Sequence, residues 1–117
     1  MVKTLSIVAD VVVLEGRLDV STAPDIRLVL HRAVDNGTGD LVLDLARLDV
    51  LDASGLGVII GAHRRAVRAG RQLVLRNVSP TVMRLLWVTR LQRVLHVEHP
   101  AALPAEIVLP RDTLAAS

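Results

Sequence analysis

The feature that most restricts the fold of this chain is the alternation of short apolar runs with segments of helical periodicity. Two β-branched runs at residues 5–9 and 11–15 are separated only by Asp10. This arrangement predicts two antiparallel strands joined by a tight turn. Helix-like and strand-like segments then alternate along the rest of the chain to about His99. Such alternation is typical of a sheet with a parallel core and crossover helices.

The boundaries of these elements follow from capping and breaking residues. Thr22 and Pro24 favour a helix start, and Asn36 with Gly37 favours its end, so the first helix is predicted at Ala23–Asp35. The remaining predictions are strands at 41–45, 72–75 and 94–97, a second helix from Ser54 to Gly70, and a third after Ser79. We therefore expect an α/β fold, with an N-terminal β-hairpin followed by alternating helices and strands in a mixed, mostly parallel sheet of about five strands.

The domain organisation follows from length and from the prolines near the end of the chain. A chain of 117 residues fits one domain that buries its own core. We expect that domain to occupy residues 1–99. Pro104 and Pro110 divide the remainder into short pieces, so residues 100–117 are predicted to be a mostly irregular tail.

Composition excludes several classes of function. There is no cysteine, which removes disulfides, thiol catalysis and thiolate metal sites. The four histidines show no metal-binding spacing, so we expect no metal and no cofactor. The pI of about 10.4 accompanies a net charge of only +2, because Cys and Tyr are absent and Lys3 is the only lysine, so almost no side chain titrates between about pH 8 and pH 12. With one aromatic residue, Trp87, and no basic tract, nucleic-acid binding is not expected.

The sequence also indicates where the protein is located. The longest stretch without a charged residue or histidine is 53–62, about half of what a bilayer requires. The first residues lead directly into a strand-like run without the features of a signal peptide. We expect a cytoplasmic protein without a membrane span.

One segment, residues 49–61, has a composition that is unusual for a purely structural helix start. Ser54 stands at the start of the second helix with Gly55, Gly57 and Gly61 after it, although each helical glycine costs about 1 kcal/mol relative to alanine. Two explanations remain open: close packing against a neighbour, or access of another molecule to Ser54 and the free N–H groups. The spacing does not match a nucleophile elbow, a dinucleotide fingerprint or a P-loop. We therefore expect no catalytic residues and no enzyme activity.

Helical periodicity adds three expectations about helix faces. On the second helix, one apolar face is predicted, consisting of Leu56, Ile59, Ile60, His63 and Val67. On the first helix, Leu28 is the apolar residue on an otherwise charged face, which makes it a candidate partner contact. A third group gathers near the C-terminal end of the second helix, where cations favour the helix dipole: Arg64, Arg65, Arg68 and Arg71.

Taken together, these motifs resemble the STAS-domain family, and within it the bacterial anti-sigma-factor antagonists, over residues 5–97. Gly16-Arg-Leu-Asp19 followed by Ser21-Thr22-Ala23 is similar to the family's turn before the first helix. Asp52-Ala-Ser54-Gly55-Leu56-Gly57 is similar to its phosphorylation signature. Asn77-Val-Ser79-Pro80, with the amphipathic segment after it, fits the start of its third helix.

The resemblance implies a switch rather than an enzyme. It implies that the unphosphorylated protein binds an anti-sigma factor with serine kinase activity and thereby releases a sigma factor. Phosphorylation at Ser54 would end that binding, and a phosphatase would restore it. The partner-binding residues implied by the motifs are Asp19, Thr22, Asp52, Ser54, Gly55, Leu56 and Gly57, to which periodicity adds Leu28. Ser21 and Thr22 remain open as further modification sites.

An alternative keeps the fold and changes the role. The chain would then be a STAS module that is not phosphorylated and serves as a structural or ligand-sensing subunit of a larger assembly. In that case Ser54 would only cap a helix.

Overall fold

Five strands and three helices form the part of the chain that the structure describes. A computed structural model describes residues 3–8 and 10–98. The elements in chain order are β1 (Lys3–Val8), β2 (Val11–Leu18), α1 (Ala23–Asp35), β3 (Leu41–Leu51), α2 (Ala53–Arg68), β4 (Leu73–Arg76), α3 (Pro80–Val88), a 3₁₀ turn (Leu91–Arg93) and β5 (His96–Val97). The predicted first helix is confirmed at both ends.

The strands lie in one sheet in the order β1-β2-β3-β4-β5. β1 is antiparallel to β2, and the next three pairings are all parallel. Asp10 has a φ of 64° in the tight connection between the first two strands, a left-handed conformation that Asp tolerates better than most residues. The predicted hairpin and mostly parallel sheet are confirmed.

Burial alternates along the strands because one face of the sheet carries the core. In β3, Leu41, Leu43 and Leu45 are buried while Val42 and Asp44 are partly exposed. Right-handed crossovers between strands that follow one another in sequence place every connecting helix on the same face. The core therefore lies between that face and the inner sides of the helices.

The orientation of α2 differs from the sequence expectation. Its buried residues are Gly55, Leu56, Val58, Ile59, Ala62 and Ala66. Of the residues predicted to share one face, Leu56 and Ile59 are buried, Ile60 and His63 are only partly buried, and Val67 is 58% exposed. The physical reason is the close approach of Gly55 to the Leu18 carbonyl at the end of β2. Because of this contact, the face of α2 that contains Gly55 packs against the sheet.

Strands β2 and β3 are longer than predicted. Gly16 adopts a φ of 90° at a shift of register and lets β2 continue to Leu18. The two strands then pair as far as Leu18 and Leu51, whereas β3 pairs with β4 only from Leu41 to Asp44. The extended pairing brings the loops after β2 and β3 to the same edge of the sheet.

Arg71 is not part of the helix-end cluster in which the sequence placed it. Its side chain is 2% exposed, and it donates hydrogen bonds to the carbonyls of Ala33 (2.8 Å), Val34 (2.7 Å) and Gly39 (2.9 Å). It also lies 3.2 Å from a carboxylate oxygen of Asp10. Arg71 thus satisfies carbonyls at the C-terminal end of α1, which a helix leaves without intrahelical partners.

Two further sequence expectations concern the C-terminal tail and membrane-spanning helices. The irregular tail predicted at 100–117 lies outside the described residues. Within residues 3–8 and 10–98, no helix has the length and apolar character that crossing a membrane requires.

Candidate functional site

The candidate site forms where the loop between β2 and α1 meets the start of α2. Parallel strands that end together deliver the residues after them to one edge of the sheet. Leu18 and Leu51 are register partners, and the Asp52 N–H donates to the Leu18 carbonyl at 3.3 Å. Residues 19–22 and residues 52–57 are therefore neighbours in space.

Asp52 is the residue that holds the two segments together. Its Oδ1 accepts a hydrogen bond from the Gly55 N–H at 2.9 Å and caps α2. Its Oδ2 accepts from the Val20 N–H at 3.2 Å, across to the other loop. One carboxylate thus satisfies an orphan donor of the helix and fixes the loop beside it.

Asp19 holds the loop between β2 and α1 through hydrogen bonds to its buried carboxylate. It is only 6% exposed. Its Oδ1 accepts from the Ser21 N–H (3.0 Å) and the Ser21 hydroxyl (2.6 Å), and its Oδ2 accepts from Arg17 Nε (2.8 Å). The Ser21 hydroxyl contributes most to lowering the pKa of Asp19 to about 2, with further contributions from Arg17 and the Ser21 N–H. Asp19 is therefore charged and fully engaged in holding the turn.

Thr22 completes the same turn. Its hydroxyl donates to the Arg17 carbonyl at 3.0 Å and accepts from the Asp19 N–H at 3.0 Å. The side chain is buried, although it makes no capping hydrogen bond to α1. Thr22 ties the loop to the end of β2 and presents no surface to a partner.

Ser54 is an exposed serine of the site whose hydroxyl is not used by the loop beside it. It is the second residue of α2 and lies on the surface. Among residues 3–8 and 10–98, no hydrogen bond engages its side chain, whereas the neighbouring Ser21 hydroxyl is bound to Asp19. The N-cap of the helix is Asp52. Ser54 thus combines an open hydroxyl with a position in the positive first turn of a helix.

The three glycines of α2 divide between the two explanations that the sequence left open. A Cβ on Gly55 would overlap the Leu18 carbonyl and lie 2.7 Å from Leu51 Cδ1, so this glycine is needed for packing. A Cβ on Gly57 or Gly61 would meet nothing within 4 Å. Packing therefore explains only the first glycine, and Gly57 leaves open surface three residues after Ser54.

The other predicted contact residues differ in accessibility. Leu56 and Gly55 are both buried. Leu28 is 57% exposed on α1. Sequence reasoning missed Val20, which is 70% exposed at the tip of the site loop. The only available signal was an apolar residue in an otherwise polar turn.

A groove adjoins the site at Leu51, the residue before Asp52. It has a volume of about 450 Å³ and lies between the end of β3 and α3. Its lining residues are Leu48, Asp49, Val50, Leu51, Ser79, Thr81, Val82, Arg84, Leu85 and Val88. Sequence reasoning did not anticipate this groove, because it ended β3 at Leu45. The described residues contain no cluster of three or more His, Asp or Glu side chains suited to a metal ion.

Comparison with known proteins assigns the family. The STAS domain model matches residues 3–101, which is most of the chain. The chain belongs to the STAS domain family. The family match includes both segments of the site, the turn around Asp19 and the signature around Ser54, and it ends before most of the tail.

Individual relatives agree with this STAS assignment. The chain is 32% identical over 82 residues to the anti-sigma-B factor antagonist of Staphylococcus aureus strain NCTC 8325 / PS 47, covering 70% of this chain and 76% of that protein. An anti-sigma factor antagonist from Mycobacterium paratuberculosis has the same fold, with a TM-score of 0.67 at 24% identity over 83% of this chain and 85% of the other.

A third similar structure is that of a phosphorylated protein. The phosphorylated form of the Bacillus cell fate determinant SpoIIAA matches with a TM-score of 0.62 at 20% identity, over 92% of this chain and 100% of that chain. At this identity the likeness shows a shared fold.

Proposed function

We propose that this STAS domain is an anti-sigma-factor antagonist whose binding is switched by phosphorylation of Ser54. Unphosphorylated, it binds an anti-sigma factor that is a serine kinase, and the bound sigma factor is released. The kinase phosphorylates Ser54 and the complex separates, until a phosphatase restores the free hydroxyl. The protein acts in the cytoplasm as a binding module and kinase substrate, without catalytic residues or a cofactor of its own.

The observation that carries this proposal is the exposed Ser54 hydroxyl at a helix start that is hydrogen-bonded to the neighbouring loop. A protein kinase needs a hydroxyl that it can reach, and Ser54 is exposed on the first turn of α2. The surrounding backbone is held by the two hydrogen bonds to the Asp52 carboxylate. The name of the Staphylococcus aureus relative and the phosphorylated form of SpoIIAA support the same role.

Electrostatics explains how a phosphate could end binding and leave the fold intact. Phosphoserine carries a charge of about −1.5 to −2, and the first turn of a helix stabilises negative charge. In a closed complex that phosphate would lose water next to the Asp52 carboxylate, where like charges repel. The free domain therefore tolerates a modification that the interface does not.

The contact surface follows from which of the predicted residues are exposed. Ser54, Gly57 and Leu28 are accessible, and we add Val20 at the tip of the neighbouring loop. The remaining residues act from below by holding this surface in shape: Asp19, Thr22, Asp52, Gly55 and Leu56. The small net charge of +2 makes one added phosphate a large fraction of the total.

The alternative role as an unphosphorylated structural or ligand-sensing subunit required Ser54 to cap α2. Asp52 occupies that position instead, which leaves the Ser54 hydroxyl unexplained by helix capping. Phosphorylation accounts for the free Ser54 hydroxyl.

Phosphopeptide mass spectrometry on protein expressed with its own kinases tests the modification directly. Trypsin releases residues 48–64 as one peptide, in which Ser54 is the only hydroxyl-bearing side chain. A phosphate on this peptide therefore identifies its site without further fragmentation. Ser21 and Thr22 fall on a different tryptic peptide, residues 18–27, which serves as the internal control.

Binding measurements complete the test. Ser54→Ala should retain the kinase partner and accept no phosphate, whereas Ser54→Asp should bind poorly. Ser21→Ala is the matched control, because Ser21 is also exposed near a helix start. Equal affinity of wild type, Ser54→Ala and Ser54→Asp for the kinase would contradict the proposal, as would an unmodified 48–64 peptide in kinase-competent cells.

A further inference from the structure

The groove between the end of β3 and α3 exists because two neighbouring strands differ in length. β4 ends at Arg76, whereas β3 continues to Leu51. After β4, Asn77 takes a left-handed φ of 57° and donates a hydrogen bond to Asp44 at 3.0 Å, and α3 begins at Pro80. The chain therefore leaves the sheet beside the last part of β3. Within the described part of the chain, a space of about 450 Å³ stays open between β3 and α3.

This groove has the dimensions and the walls of a small-molecule site. Such sites occupy clefts of about 300–1,000 Å³ with mostly apolar walls and a few polar groups that fix the orientation of the ligand. Six of the ten lining residues are apolar: Leu48, Val50, Leu51, Val82, Leu85 and Val88. Val88 is 75% exposed, so an apolar ligand in the groove removes this side chain from water, which is favourable.

The polar residues on the α3 wall of the groove are hydrogen-bond donors. Arg84 is exposed and forms no ion pair with any residue among 3–8 and 10–98. The Ser79 hydroxyl accepts a hydrogen bond from the Val82 N–H at 3.2 Å, which leaves its own proton for an acceptor, and Thr81 adds a second hydroxyl. A guanidinium beside two hydroxyls is suited to bind a carboxylate through charge-assisted hydrogen bonds.

The distribution of charge along the chain favours an anion in this groove. Residues 53–97 contain eight arginines and no Asp or Glu. Three of these arginines pair with carboxylates from other parts of the chain, and Arg84 is not among them. Asp49 is the acidic residue of the lining, and it lies on the β3 wall. The negative end of a ligand is therefore complementary to the α3 wall, and Asp49 repels it from the other wall.

We propose that the groove between the end of β3 and α3 binds a free carboxylate with an apolar chain, such as a medium-chain fatty acid. The carboxylate lies at Arg84, and the chain lies along the apolar walls. A small inorganic anion would leave those walls exposed, and a hydrocarbon without a charge would leave Arg84 without a partner. The bound chain reaches Leu51, next to the Asp52 side chain that holds the Ser54 surface. This binding does not depend on the proposed function, because it requires neither the kinase nor a phosphate.

Titration of the full chain with decanoate, followed by amide NMR signals, tests the proposal. The signals of Leu51, Thr81 and Val88 should shift and saturate, while those of the exposed α1 residues Asp25 and Arg32 should not. Acetate has no apolar chain, and decylamine has the same chain with a cationic end. Both should bind about tenfold more weakly than decanoate or less tightly still, because a hydrogen bond to a charged group contributes at least that much.

Two pairs of matched variants locate the site. Arg84→Glu should raise the dissociation constant of decanoate about tenfold. Arg93→Glu makes the same charge change at an exposed arginine outside the groove lining and should leave the constant nearly unchanged. Val88→Glu should likewise weaken binding, whereas Val67→Glu, at an exposed valine near the end of α2, should not. Circular dichroism of all four variants checks that each is folded.

Each other outcome contradicts the proposal in a different way. Equal weakening by Arg84→Glu and Arg93→Glu would show general attraction of an anion to a basic surface. Shifts of equal size on α1 and α3, or no saturable shift with decanoate, would show that the groove is not a carboxylate site. Binding to vesicles that contain phosphatidylglycerol, without any effect of free decanoate, would overturn the proposal in favour of a membrane surface.

Discussion

The carboxylate of Asp52 binds the N–H of Val20, a residue 32 positions earlier in the chain, at 3.2 Å. Its other oxygen accepts from the Gly55 N–H at 2.9 Å. Because the loop after β2 and the start of α2 share this one side chain, a change at Asp52 affects both sides of the Ser54 surface.

Replacing Asp52 separates its two functions. Asp52→Ala removes the cap and should lower the free energy of unfolding by about 0.5–2 kcal/mol. Asp52→Asn should keep most of that stability, because Asn is also a good N-cap, but its amide nitrogen cannot accept from the Val20 N–H if the oxygen faces Gly55. Urea denaturation measures the first effect, and hydrogen exchange at the Val20 amide measures the second.

Asp49→Ala is the control for these variants, since Asp49 is an exposed aspartate three residues earlier on β3. It should change stability by less than about 0.5 kcal/mol. If Asp52→Ala were as stable as Asp49→Ala, the capping role of Asp52 would be contradicted.

The glycines of α2 should respond in opposite directions to the same substitution. Gly55→Ala places a methyl group against the Leu18 carbonyl and Leu51, and overpacking of this kind costs about 1–3 kcal/mol. Gly57→Ala and Gly61→Ala enter open space and should raise the free energy of unfolding by up to about 1 kcal/mol each, through helix propensity. Thermal unfolding of the three variants measures these changes.

Partner binding then distinguishes the two open glycines. Gly57 belongs to the proposed contact surface and Gly61 does not. Gly57→Ala should therefore weaken binding to the kinase partner although the protein is more stable, while Gly61→Ala should leave binding unchanged. Identical affinities for the two variants would show that the open surface at Gly57 is not used.

Much of the fold was predictable because local signals and tertiary structure agree. The first helix has a proline in its first turn and a clear break at its end, and its predicted boundaries are those observed. The hairpin and the parallel order were likewise set by runs of β-branched residues and their connections. In these elements the local sequence pattern and the tertiary structure favour the same conformation.

The site was predictable in composition but not in the accessibility of its residues. The sequence marks Ser54 and Asp52 as potential capping residues alike, and only the three-dimensional arrangement shows that Asp52 takes the cap. The burial of Thr22 depends on packing that the local pattern does not show, as does the extension of β2 and β3 beyond Gly16 and Leu45. Local periodicity does not report such contacts.

Arg71 offers a sharp test of the buried contacts at the end of α1. Lysine cannot reproduce the fork of donors with which Arg71 reaches four carbonyls. Arg71→Lys should therefore leave buried acceptors unsatisfied and lower the free energy of unfolding by about 2–4 kcal/mol. Urea denaturation monitored by circular dichroism measures the loss.

The matched control for this arginine is Arg68→Lys, because Arg68 is exposed at the last position of α2. It should stay within about 0.5 kcal/mol of wild type. Equal stability of the two lysine variants would show that the Arg71 hydrogen bonds are replaceable.

Asp19 gives the site loop a defined dependence on pH. Its pKa falls from the ordinary value of 3.8 to about 2 in the folded protein, chiefly through the Ser21 hydroxyl. A carboxyl whose folded pKa is depressed stabilises the fold above its unfolded pKa, and that contribution is lost as pH falls from about 4 to about 2. Asp19→Asn should therefore be less stable than wild type at pH 7, and the difference should shrink as the pH approaches 2. Urea denaturation of both proteins at several pH values measures it.

The control for this prediction is Asp35→Asn, which removes another carboxyl of lowered pKa, paired with Arg65 on the surface. Asp35→Asn should leave hydrogen exchange of the Ser21 amide unchanged, whereas Asp19→Asn should accelerate that exchange. A stability difference between Asp19→Asn and wild type that is constant from pH 7 to pH 2 would contradict the assigned role of the Asp19 charge.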